Sequence, residues 1–169
     1  MAVTEQPNPQ QLLARYLDGP SQLARLVSHR SDAILNLALQ PNTWTIRQLV
    51  HHMADGDSLW TFPIKIALGQ HPPVFNLKWY WTVPQDEWAG YWHYGERAIA
   101  PSIAMMTANR QHIAAILEHV QEWWQRSITI EWPNGQQSAL TIADIIQMQG
   151  DHVFGHIEEI QRICQTHEM

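Results

Sequence analysis

The chain has 169 residues, of which 45% are apolar and 15% charged, with one cysteine and a formal charge of −6. This length suits one domain with a full core, and the apolar fraction excludes an intrinsically disordered chain. The acidic balance argues against nucleic acid as a partner, no apolar run approaches the ~18 residues of a membrane span, and a lone cysteine cannot close an internal disulfide.

These features predict a single domain over 1–169 in a reducing, cytoplasmic compartment. Residues 1–7 show no basic stretch followed by an apolar one, so no export signal is predicted. From Gln10, the spacing of Leu12, Leu13, Tyr16 and Leu17 is helical. Asp18, Gly19 and Pro20 interrupt it, and Pro20 can open a further segment with Leu23, Leu26 and Val27 on one face. Gln10 to about His29 therefore reads as one broken helix or two consecutive ones. Pro41 and Asn42 mark a loop. Thr45 and Gln48 fit a capping box ahead of a second helix carrying Ile46, Leu49, Val50, Met53 and Trp60. Pro63 is a candidate kink in it and Gly69 its end. Between Gln70 and about Gly95 the period is lost and aromatic residues crowd the sequence, which reads as a long crossover connection. A third helix is predicted from about Glu96 to Trp124. Ser127 to Thr141 alternates around Pro133, Asn134 and Gly135, the pattern of a two-stranded hairpin. Thr141 and Asp144 then open a capped last helix carrying Ile142, Ile145, Ile146, Val153, Ile157, Ile160 and Ile163. The fold class expected is all-α: a four-helix bundle with one long aromatic-rich crossover and a short β-hairpin before the last helix.

The sequence contains ten histidines and nine tryptophans. His152 and His156 are four apart, so they share one face of the last helix with Ile145, Gln149, Ile160 and Ile163. Glu158, Glu159 and Arg162 fall mostly on other faces. Two imidazoles on an otherwise apolar face need compensation, and a shared divalent cation supplies it. The glutamate that follows the first histidine in zinc-protease helices is replaced by Val153, which disfavours glutamate-assisted proteolysis. For a third ligand the second helix offers His51 and His52. His52 continues the face of Leu49, Gly56 and Leu59, whereas His51 sits beside Arg47 and Asp55, a polar flank. His52 is thus expected to face inward and His51 to lie at the rim, with Gly56 leaving space for metal or substrate. His29, His71, His112, His119 and His167 read as surface or satisfied core residues, and nothing fixes His93 in a site.

The stretch from Trp44 through His52 to Asp55, with a His-x-x-x-His pair at His152 and His156, resembles the DinB/YfiT-like superfamily of metal-binding four-helix bundles. The break at Pro20, the central connection and the hairpin before the last helix resemble its YfiT-type branch, and the likeness spans nearly the whole chain. The resemblance implies a metal triad of His52, His152 and His156. It also implies a metal-dependent enzyme acting on a small molecule: an S-transferase using a low-molecular-weight thiol cosubstrate such as bacillithiol or mycothiol, or a hydrolase. The alternative is a noncatalytic, stress-associated metal-binding bundle. Three neutral nitrogen ligands leave an open position and suit Zn2+ or Ni2+. Asp55 and Gln149, each about a turn from a ligand, are the candidate catalytic residues, with a solvent-facing partner of His51 or Arg47 as the plainer role of Asp55. Trp60, Trp88 and Trp92 are candidates for an apolar wall, Cys164 reads as a core or surface thiol, and the aromatic content makes a homodimer plausible.

Overall fold

In the computed structural model, which describes residues 8–69 and 71–167, the chain runs α1 (Pro9–Val27), α2 (Asp32–Leu35), α3 (Ile46–Gly69), β1 (Val74–Asn76), α4 (Lys78–Trp81) and α5 (Gln85–Tyr91). It continues through α6 (Ala100–Leu117), a 3-10 turn at Trp123–Gln125, β2 (Ser127–Glu131), β3 (Gln137–Thr141) and α7 (Ile142–His167). The stretch read for an export signal lies outside the described residues. Among them, no helix is long and apolar enough to cross a membrane.

The four long helices form the expected bundle: α1 and α3 each pack against both α6 and α7. Their starts follow from local chemistry. The Asn8 side chain accepts from the Gln10 amide at 2.9 Å ahead of Pro9, which has no amide to satisfy. Thr45 and Gln48 cap α3 reciprocally, at 2.9 and 3.3 Å. Thr141 and Asp144 do the same for α7, at 2.8 and 3.0 Å.

Pro20 does not divide α1. Its missing N–H leaves the Tyr16 carbonyl without a helical donor, and Arg110 from α6 fills the gap, Nη1 donating to that oxygen at 2.6 Å. The same guanidinium explains Gly19. A Cβ there would stand 3.0 Å from Arg110 Nη1 and 3.1 Å from Val153 Cγ1. A helical glycine changed to alanine normally gains about 1 kcal/mol. Here neither neighbour can yield, so Gly19→Ala is expected to lose about 1–3 kcal/mol, read as a lower urea midpoint.

The third long helix is shorter than the predicted 96–124. Pro101 sits in its first turn and cannot donate to the Arg97 carbonyl, which instead accepts from Arg47 at 2.9 Å and pairs with His51 Nε2 at 3.2 Å. At the other end the helix stops at Leu117, and Glu122, left-handed at φ 52°, separates the following turns from the 3-10 turn at Trp123–Gln125. The hairpin forms as expected, with Gly135 at φ 81° in its turn. It also gains a third strand: β1, from the crossover, pairs in parallel with β2 through Val74↔Thr129, Phe75↔Ile130 and Asn76↔Glu131.

Two apolar clusters fill the bundle. One gathers Leu23, Leu49, Met53, Met106, Ile157 and Ile160, and the other Tyr16, Trp60, Ile64, Ile113, Ile142 and Ile146. Between them runs a polar layer. Its centre is a fully buried ion pair, Arg110 Nε to Asp57 Oδ1 at 2.7 Å. Arg110 Nη2 also donates to the Gln149 carbonyl at 3.1 Å, so one side chain joins α1, α3, α6 and α7.

Candidate metal centre

The three histidines of the predicted triad come together in this polar layer. His52 projects from α3 and His152 and His156 from α7, and one ring nitrogen of each lies within 4.8 Å of the others. The Nε2 atoms of His52 and His152 are 3.0 Å apart. The ring centroids are separated by 4.9, 5.2 and 4.7 Å, with interplanar angles of 77°, 85° and 80°. Nitrogens bound to a tetrahedral zinc at about 2.0–2.1 Å stand about 3.4 Å apart; the His52–His152 pair, at 3.0 Å, is slightly inside that spacing, and all three nitrogens lie within 4.8 Å of one another. The Nδ1 atoms of His52 and His152 are buried without a partner, so the rings find no other use for their nitrogens than one another. The donor set therefore fits a divalent cation.

Electrostatics keep two of the three imidazoles in the form a metal would need. Burial, reinforced by His152 and His156, pulls His52 down to about 3. Burial, then His156 and the Arg110 charge, pulls His152 down to about 4. Both rings are neutral at pH 7, and no proton competes with an ion. Because these folded-state values lie below the ordinary value, protonation favours the unfolded chain. The stability they confer is complete above about pH 6.5 and is lost as pH falls toward 4. For chelator-treated protein the expected loss is at most about 3 kcal/mol per pH unit for the two rings together. Urea midpoints at pH 7.5 and 5.0 measure it against a His52→Leu, His152→Leu variant, which should show a shallower slope; equal slopes would mean the rings do not titrate as buried groups.

The second layer differs from expectation at two places. Glu159 does not face away: its Oε2 accepts from His156 Nδ1 at 2.9 Å, which fixes the ring and leaves Nε2 for the cluster. Its spacing of three from His156 on the helix was the available signal. His51 is not at the rim. It is fully buried, with Nδ1 2.8 Å from Ser102 Oγ and Nε2 3.2 Å from the Arg97 carbonyl. Arg97 lies in the segment leading into α6 and Ser102 in its first turn, and no helical wheel of α3 can reveal their approach. Burial pulls the His51 ring below its ordinary value.

A cavity of about 400 Å³ opens above the triad. Its wall comprises Trp60 and Leu59 from α3, Leu77, Tyr80, Trp81 and Gln85 from the crossover, Trp132 from the hairpin, and Met148 and Gln149 from α7. Among the described residues that line it, none is charged apart from the capacity of the histidines. Gln149 is buried, with Oε1 unpaired at the wall. Gly56 also lines the cavity, where a Cβ would meet His152 Cε1 at an ordinary 3.6 Å, so space for a ligand does not require glycine there. Trp60 takes the place expected of it. Trp88 and Trp92 instead stack on one another and on Tyr80, behind the wall. Asp55 pairs with Arg97 at 3.4 Å and lines a separate cleft of about 290 Å³ with Phe62, Phe75 and Trp79. His29, His71, His112, His119 and His167 are exposed, and Cys164 is core. His93 stands outside the cavity wall, its Nδ1 3.6 Å from Glu96.

Comparison with known proteins agrees with this architecture. YfiT from Bacillus subtilis, described as a probable metal-dependent hydrolase with an unusual four-helix bundle topology, superposes with a TM-score of 0.81 over 98% of this chain and 93% of its own, at 18% identity. A protein of Halalkalibacterium halodurans named "putative metal-dependent hydrolase" is 27% identical over 143 residues, 85% of this chain and 78% of its own length. A protein of the same description from Geobacillus kaustophilus is 24% identical over 144 residues, again 85% of this chain and 78% of its own. The DinB superfamily model matches residues 8–160, and the chain belongs to that superfamily.

Proposed function

We propose that the protein is a metal-dependent hydrolase of a small molecule, with a divalent cation held by His52, His152 and His156. One observation carries the reading: three imidazoles from two helices converge at the floor of a cavity that has room for a substrate. The names of the relatives support the same class. Zinc or nickel suits an all-nitrogen ligand set. When bound, such a cation supplies Lewis acidity and an acidified water. The chain supplies the rest. Glu159 holds the His156 ring by accepting its Nδ1 proton. Gln149, one turn before His152 on α7, packs in the cavity wall. Trp60, Tyr80, Trp81 and Trp132 surround the substrate volume and exclude bulk water.

S-transfer from a low-molecular-weight thiol would use the same triad with a different nucleophile. Among the described residues no Lys or Arg lines the cavity to hold the carboxylate of an anionic thiol, so water is the nucleophile we assign. Chelator-treated protein is expected to lose turnover of ester and amide substrates and to regain it with one equivalent of zinc or nickel. Turnover that requires added thiol would overturn hydrolysis in favour of transfer, and metal uptake without any turnover would favour the noncatalytic bundle.

A further inference from the structure

The rings of the triad are held in different ways. His156 is fixed from its own helix, by the Glu159 carboxylate at Nδ1. His52 has no such hold: its Nδ1 is buried without a hydrogen-bond partner, and its Nε2 lies against His152 Nε2. The ring that packs on His52 from outside the triad is the Trp44 indole, with centroids 4.6 Å apart and planes at 78°. That separation is shorter than any within the triad. Edge-to-face contact at this distance is an arrangement aromatic rings favour.

Trp44 is itself well placed to act as a stop. It immediately precedes the Thr45–Gln48 cap of α3, and Thr45 forms an isolated bridge with Ala38. Its side chain is half-buried against the first apolar cluster. The indole also meets Tyr94, which is buried, at 6.4 Å and 89°. Among the described residues that line the cavity Trp44 does not appear, so its contact is with the ligand side chain and not with the substrate volume.

We propose that Trp44 is a positioning residue for the metal centre: its indole fixes the rotation of the His52 ring, as Glu159 fixes that of His156. The inference rests on the three-histidine metal reading. An imidazole free to turn loses rotamer entropy each time an ion orders it, and a ring packed against it removes that cost in advance. A hydrogen bond at Nδ1 would do the same, but His52 has no acceptor there, and the indole restricts the ring without one.

Zinc affinity of the full-length protein, measured by competition with a chromophoric chelator, tests the role together with the visible absorption of the cobalt-loaded form. Trp44→Ala should bind zinc about tenfold more weakly than the wild type, the scale for losing a partner of a ligand, and its cobalt bands should shift and lose intensity. Trp44→Phe keeps a ring beside His52 and should stay within about threefold, with the bands of the wild type. Trp44→Leu, apolar without a ring, should behave as Trp44→Ala and decides the matter should that variant fail to fold. A part in packing alone would lower the urea midpoint of the metal-free variants and leave the cobalt bands unmoved. Zinc affinity and cobalt bands of the wild type in Trp44→Leu overturn the inference, as does a loss in Trp44→Phe as large as in Trp44→Leu. Failure of the wild type to take up either metal defeats the metal reading beneath it, whereas uptake that is equal in all four proteins defeats the role of Trp44 alone.

Discussion

His152→Ala is expected to abolish stoichiometric zinc binding and, with it, the thermal stabilisation that zinc confers on the wild type. Zinc at about a thousand times its Kd adds about 4 kcal/mol to a protein that binds it only when folded. For a chain of this size that is an increase of about 8–16 °C in Tm. The shift should vanish in His152→Ala because His52 and His156 alone offer two nitrogens from different helices, with no carboxylate or thiol among the described residues of the cavity wall to replace the third. Glu159→Gln should fall between. It removes the carboxylate that accepts from His156 Nδ1 without removing a ligand, and a loss of about 10- to 100-fold in metal affinity is the usual scale for such a change. His112→Ala, on the exposed side of α6, should behave as the wild type. Uptake of one zinc by His152→Ala with an undiminished Tm shift would remove that residue from the site.

Arg110→Met should destabilise the fold by about 3–5 kcal/mol, the scale for leaving a buried charge without its partner. Asp57 is fully buried, and burial pushes its carboxyl up against the opposing pull of Arg110. The variant also strips donors from the Tyr16 and Gln149 carbonyls. A compensating Asp57→Leu in the same chain should recover part of the loss, since a neutral, packed pair avoids the uncompensated charge. Recovery should be incomplete, because the carbonyl that Pro20 leaves without a helical donor still lacks one. Urea unfolding of the two single variants and the double variant gives the coupling directly. Single variants whose losses simply add would show that Arg110 and Asp57 do not act as a pair.

Much of this was legible in the sequence where the controlling interactions are local. Capping pairs such as Thr45 with Gln48 and Thr141 with Asp144 lie three residues apart, so their chemistry is visible without a fold. The inward turn of His52, His152 and His156 followed from helical spacing, because a regular helix fixes direction once its apolar face is known. The crossover was different. β1 has three residues, too few to show a period, and its pairing partner lies more than fifty residues away. α4 and α5 are short helices whose order comes from stacking of Tyr80, Trp88 and Trp92. Arg110 and Asp57 each interrupt an otherwise apolar stripe, Arg110 between Met106 and Ile113 and Asp57 between Met53 and Trp60. A charge at a core position of each of two helices was the available signal for a buried ion pair. The burial of His51 had no such signal, since its partners arrive from the start of α6 and the irregular segment before it.

The parallel pairing of β1 with β2 has a mechanical corollary. It ties the crossover to the hairpin, so the residues Leu77, Tyr80, Trp81 and Gln85 hang over the histidines from a small sheet and not from the helices that carry those histidines. Roof and floor of the cavity thus stand on separate supports, and a change in the canopy can reshape the volume above the three imidazoles while α3 and α7 stay in register.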